Sequence, residues 1–167
     1  MSLTQTVRRS EVVRDVVGLL ARFGLAGIWL ISGYLKAVDP RTTVVAVRGY
    51  QIFLEPLVVP FATVLPYLEI ALGLLLVAGL ATRLAAVLSA VVLVAFIAGV
   101  ISAAARGLSI DCGCFGGGGD VPAGQTAYVQ EILRDLGFLA LAGYLVIRPD
   151  TPASVDRWVR RRSAQPA

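Results

Sequence analysis

Histidine does not occur among the 167 residues. That removes haem imidazole ligation, zinc–histidine sites and Ser-His-Asp triads from the chemistry open to this chain. Charge is also scarce, at 16% of residues, while 57% are apolar and 17 glycines come on top of that. With a mean hydropathy of +0.78, there is too little polar material to cover the exterior of a small water-soluble domain. The same composition excludes a disordered chain. Only one of the 15 basic residues is lysine, Lys36, and the arginine-, alanine-, valine- and leucine-rich remainder suggests a GC-rich bacterial genome. The net charge of +4 reads in so apolar a chain as a record of membrane orientation, and no nucleic-acid partner is expected.

What the chain does have is long uncharged runs. A helix needs about 20 residues to cross roughly 30 Å of hydrocarbon. Leu84 to Ala105 carries no charge at all. Between Glu55 and Arg83 the only charge is Glu69, which gives a span near 58–80, and Val16 to Leu35 is interrupted only by Arg22, which gives one near 16–35. The last, near 128–147, is apolar from Leu136 onward but carries Glu131, Arg134 and Asp135 in its first turns. A signal peptide is disfavoured for the first, because the run is too long, contains Arg22 and is followed by no small-x-small cleavage site. The expected fold is therefore an all-α integral membrane protein, a bundle of four transmembrane helices spanning 16–147. Before it lies an N-terminal segment, 1–15, and after it a basic tail, 148–167.

Four spans put both termini on one side. With the termini cytoplasmic, Arg8, Arg9, Arg14, Arg83, Arg148, Arg157, Arg160, Arg161 and Arg162 flank the inner face, against Lys36, Arg41, Arg48 and Arg106 outside. That bias favours termini inside a bacterial inner membrane, with outer loops at 37–57 and 106–127. The first outer loop is apolar enough, through Val44, Val45, Val47, Ile52, Phe53 and Leu54, to lie on the membrane or cover the bundle. In the tail, Thr151-Pro152 reads as an N-cap followed by proline at the first helical position, opening a short interfacial helix.

Both cysteines fall in the second outer loop, within Asp111-Cys112-Gly113-Cys114-Phe115-Gly116 and ahead of three more glycines. Sulfurs one residue apart close a strained disulfide, and strain makes a pair more readily exchanged. Gly113 permits the tight closure, and the glycines behind it offer a partner access. A structural staple joining neighbours would constrain almost no loop entropy. A metal centre of cysteines alone would need ligands from a second subunit, so no metal is expected. Asp111 stands beside the pair.

Charges at membrane depth are costly unless paired or turned to a cavity. Counted along antiparallel helices, Arg22 and Glu69 lie at comparable depth, about 20 Å and 16 Å from the outer ends at 1.5 Å per residue, and are expected to pair directly, either in a functional role or merely to fix helix register. Glu131, Arg134 and Asp135 share one face immediately after the cysteine loop, where Arg134 is placed to stabilise a thiolate or to meet lipid headgroups.

Taken in order, Arg22, Gly33-Tyr34-Leu35-Lys36 with Asp39-Pro40, Leu65-Pro66-Tyr67-Leu68-Glu69 with Leu72-Gly73, and the Asp-Cys-Gly-Cys-Phe-Gly block resemble the MauE/DoxX family of redox-associated membrane proteins. The resemblance implies a four-helix membrane bundle that forms or relays disulfides for exported proteins. The family often has Arg-Asn where this chain has Arg134-Asp135, which adds a negative charge here. The expected function is a membrane thiol-disulfide oxidoreductase in which Cys112 and Cys114 cycle on the outer face, supported by Arg22, Glu69, Asp111, Arg134 and Asp135. Its expected partner is an exported thioredoxin-like or cysteine-containing protein. The layout is similar to the DsbB and vitamin K epoxide reductase class, which passes electrons to a quinone, so a lipid quinone is one candidate acceptor, although that class generally uses two cysteine pairs and this chain has one. The alternative is a non-enzymatic anchor or assembly factor that docks such a partner. Of the two cysteines, Cys114, nearer the glycines, is expected to attack first.

Overall fold

A computed structural model describes residues 3–163 apart from 115, 123 and 125. Phe115 of the cysteine motif therefore lies outside the described residues, as do the side chains of Arg8, Arg9, Arg160 and Arg161. The chain runs α1 (Leu3–Val38), α2 (Pro40–Gly49), α3 (Glu55–Ala78), α4 (Thr82–Ala105), β1 (Ile110–Asp111), β2 (Gly119–Asp120), α5 (Tyr128–Ile147) and α6 (Val155–Ser163). Among the described residues, three stretches are long and apolar enough to cross a membrane: Glu11–Val38, Glu55–Ala78 and Thr82–Ala105. The fourth long helix, α5, opens with Glu131, Arg134 and Asp135, and its polar first turns set it apart from the other three.

The four long helices pack in a ring, with α1 chiefly on α3, α4 chiefly on α5, and the α1–α5 and α3–α4 contacts closing it. Leu25, Leu72, Leu76, Leu93 and Leu145 fill the interior with small alanines between them. Trp29 donates its indole N–H to Ser89 Oγ at 2.8 Å, which satisfies the one polar atom of the largest buried side chain. On the outside, Leu20, Val64, Leu74, Val91 and Leu133 are each more than half exposed. An apolar belt of that extent around a ring of helices is suited to lipid and not to water. Close approach of α1 to α3 depends on Gly33: a Cβ there would sit 2.8 Å from the carbonyl oxygen of Pro66.

One end of the ring is capped by structure built from both loops. Asp39 caps α2 by accepting from Thr42 N at 3.1 Å, with Pro40 in the first turn, and Thr43, Ala46 and Val47 are buried beneath it. Val47 packs on Val58 and Ala62 of α3, so the apolar first loop folds onto the bundle. The second loop closes as an antiparallel two-stranded ribbon pairing Ile110 with Asp120 and Asp111 with Gly119.

The opposite end holds the tail. There α6 starts three residues later than the Thr151-Pro152 pattern suggests. Ser154 Oγ accepts from Arg157 N at 3.2 Å as the actual cap, because Thr151 Oγ1 is occupied by Arg22. Asp156 in turn accepts from Ala81 N and Thr82 N at 2.9 and 2.8 Å, capping α4 from a distance of about 75 residues in sequence. A carboxylate at a helix N-terminus is favourable both as an acceptor and through the helix dipole.

Candidate functional site

The cysteine loop sits at the mouth of the ring against α1, α4 and α5, and α3 joins through Lys36 of α1. From α1, Ser32 donates to the carbonyl oxygen of Cys114 at 2.7 Å and Lys36 Nζ donates to the same oxygen at 3.1 Å. Lys36 also forms an ion pair with Glu69 of α3, 2.8 Å to Oε1 and 3.0 Å to Oε2, and α4 contributes Phe96, whose ring centre lies 5.8 Å from Nζ. Residues from α5 complete the site, with Arg134 Nη2 3.8 Å from Cys112 Sγ and its Nε 3.0 Å from Asp135 Oδ1.

The expected Arg22–Glu69 pair does not form. Arg22 is wholly buried but donates to Thr151 Oγ1 at 2.8 Å and to the carbonyl oxygen of Ala153 at 3.1 Å, at the tail end. Counting Cα levels misses the direction in which helical side chains lean, which is toward the N-terminus of their own helix. On α1 that direction carries Arg22 away from the cysteine loop and Lys36 inward from the mouth. On antiparallel α3 it carries Glu69 outward toward the mouth. Lys36 and Glu69 meet for that reason, and Arg22 goes to the tail.

Both cysteines are free thiols, and both are buried, at 8% exposure. The glycine run does not leave them open to solvent. Gly113 turns the backbone at φ +68°, and a Cβ on it would approach Ala46 Cβ to 2.6 Å, so the turn is pressed directly against α2. Above it the Tyr50 hydroxyl donates to the Cys112 carbonyl oxygen at 3.3 Å, and burial pushes that phenol well up from its ordinary value, holding it protonated.

The two sulfurs are inequivalent. The Cys114 thiol donates to Cys112 and holds its thiol below the usual range, against the opposing effect of burial, with the Cys114 N–H at 3.4 Å and Arg134 adding to the lowering. Donation to Cys112 and burial together push Cys114 up. The surroundings thus favour the thiolate form at Cys112 over that at Cys114. Asp111 Oδ1 accepts from Gly113 N at 3.2 Å, shaping the turn.

Lys36 and Ser32 escaped the sequence-based list of site residues. Both carried a signal: Lys36 is the single lysine, it ends an apolar run, and Ser32 lies one turn before it on the same face. Tyr50 carried none, because its role depends on the path of the loop above α2.

Comparison with curated proteins gives no match, and comparison with solved structures gives none either. The family described as Methylamine utilisation protein MauE matches residues 14–148, a stretch containing the four long helices from Arg14 onward, both loops and every residue of the site. The chain therefore belongs to the MauE family of membrane proteins, consistent with a redox-associated role.

Proposed function

We propose that the protein is a membrane thiol-disulfide oxidoreductase whose exchanging pair is Cys112 and Cys114. The observation that carries this reading is the environment of Cys112 Sγ, which faces the Cys114 N–H at 3.4 Å and Arg134 Nη2 at 3.8 Å with a second thiol beside it. Hydrogen-bond donors stabilise the thiolate, which is the attacking species and the better leaving group.

In the oxidising direction, a thiolate of an exported dithiol protein attacks Cys112 of the Cys112–Cys114 disulfide. A mixed disulfide forms and Cys114 leaves, taking up a proton. The partner's second thiolate then attacks its own sulfur of the mixed disulfide, and Cys112 leaves as the stabilised thiolate. Two electrons have passed to the pair, and the partner holds the new disulfide. For their onward route we infer a lipid quinone, reduced to the quinol by the two electrons and two protons that the dithiol gives up in returning to the disulfide. Lys36 and Ser32, held by Glu69, keep the Cys114 carbonyl in place, so they are positioning residues. The pair must be uncovered to meet a protein partner, and the loop from 113 to 119, with five glycines, is the segment able to move.

The proposed setting is a bacterial inner membrane crossed by α5 as the fourth span, with both termini cytoplasmic and the cysteine loop outside. The nine-to-four distribution of flanking basic residues supports that orientation. A membrane-impermeant thiol reagent should label reduced intact cells, and labelling only after lysis would reverse it.

The central test is a trap. Run in reverse from an oxidised partner, Cys112 of Cys114→Ser attacks the partner's disulfide and, with Cys114 missing to resolve it, should accumulate a covalent complex that collapses with reductant, whereas Cys112→Ser should not. Purified wild type should convert quinone to quinol at the expense of thiols. Burial of both sulfurs favours one other reading, a non-enzymatic anchor for a thioredoxin-like partner. Full function in both serine variants with no trapped complex would select it.

A further inference from the structure

Glu131 has no part in the exchange chemistry, yet it is only 6% exposed. Its Oε2 is buried with no hydrogen-bond partner among the described residues. One of its carboxylate oxygens, an Asp111 oxygen and the Cys112 sulfur all lie within 4.8 Å of one another. An unpaired buried carboxylate beside a second carboxylate and a thiol is costly unless something positive or protic satisfies it.

We propose that the reduced protein binds a divalent cation of the borderline-soft class, for which Zn2+ is the probe, between Asp111, Cys112 and Glu131. The expectation of no metal counted only cysteine and histidine as ligands. Carboxylates serve zinc as well, at about 2.0–2.2 Å against about 2.3 Å for sulfur. At tetrahedral angles these bond lengths bring donor atoms to about 3.5 Å apart, so the three side chains close by roughly 1 Å on binding. Three protein ligands leave a fourth position for water. As the metal–sulfur bond forms, the Cys112 proton goes to solvent and no electrons move. Arg134 approaches the same sulfur at 3.8 Å, so cation and guanidinium compete for it. A sulfur committed to a disulfide carries no charge for the cation, which makes binding a property of the dithiol state and lets the cation hold Cys112 out of exchange.

The test uses full-length protein in detergent, stripped with EDTA, reduced, and titrated with ZnCl2 against a chromophoric chelator. One equivalent should bind. Affinity should fall at least tenfold in Glu131→Gln, in Asp111→Asn and in protein whose thiols are blocked with iodoacetamide. Wild type loaded with Co2+ should gain a thiolate-to-cobalt charge-transfer absorption that the blocked protein lacks, and this keeps the test decisive if a variant fails to fold. Absence of stoichiometric binding, equal affinity in blocked protein or in both carboxylate variants, or Co2+ binding without the sulfur band would each overturn the site. None of these measurements involves a partner or an oxidant, so their outcome is separate from that of the trapping experiment.

Discussion

Lys36 Nζ lies 2.8 Å from Glu69 Oε1, with both side chains buried, and the same ammonium donates to the backbone carbonyl of Cys114 at 3.1 Å. A charge pair that joins two helices is thereby also the floor on which the cysteine turn rests. Removing one partner leaves the other charge buried and alone, which costs about 3–5 kcal/mol, whereas removing both is far cheaper.

Lys36→Met and Glu69→Gln should therefore each lower unfolding stability in detergent by about 3 kcal/mol or more, with the double variant clearly better than the sum of the two. Additive losses would mean that the two charges do not interact. Arg22→Gln combined with Glu69→Gln should be additive to within about 0.5 kcal/mol, because the two sites share no partner.

Arg22 should instead govern the tail. Its bonds to Thr151 and Ala153 hold the segment leading into α6. In Arg22→Gln, tryptic cleavage after Arg157 should accelerate roughly tenfold, as a loss of about 1.4 kcal/mol of local stability implies. Glu69→Gln should leave that rate unchanged.

The sulfurs should separate in a pH-dependent alkylation experiment run in chelator on reduced wild type, with the two sites resolved by peptide mass spectrometry after single-hit labelling. A group whose pKa is lowered carries more of its charged form at neutral pH, so Cys112 should react with iodoacetamide at pH 7 faster than Cys114. Its midpoint should fall below the ordinary thiol value of about 8.5, and that of Cys114 above it. Arg134→Gln should move the Cys112 midpoint upward, since the guanidinium contributes to the lowering.

Gly113→Ala tests the turn itself. The positive φ and the approach to Ala46 together should cost about 1–3 kcal/mol and should disturb cysteine reactivity more than overall helix content measured by circular dichroism. Adding Ala46→Gly should restore part of the loss by removing the contact, and the part due to the backbone angle should remain.

Much of this protein was legible in one dimension. Charge-free runs of about 20 residues have one economical fate in a cell, so Leu84 to Ala105 and its two apolar companions declared themselves as membrane-length helices. The Asp-Cys-Gly-Cys block pointed to the thiol chemistry proposed above because few other uses exist for two sulfurs one residue apart. Three decisions belonged to the tertiary structure. Which buried charges meet depends on side-chain lean in antiparallel helices, and that sent Glu69 to Lys36 and Arg22 to Thr151. Which sulfur better holds a thiolate depends on donors from Cys114 and from α5, brought together only when the loop folds over the ring. Whether the sulfurs are open depends on α2 and Tyr50, whose apolar run could equally have lain on the membrane. The sequence determined the composition of each helix and the identity of the candidate sulfurs, because those are properties of single residues and their spacing. Pairing, burial and polarity of the site were decided by packing, because each is a relation between residues tens of positions apart.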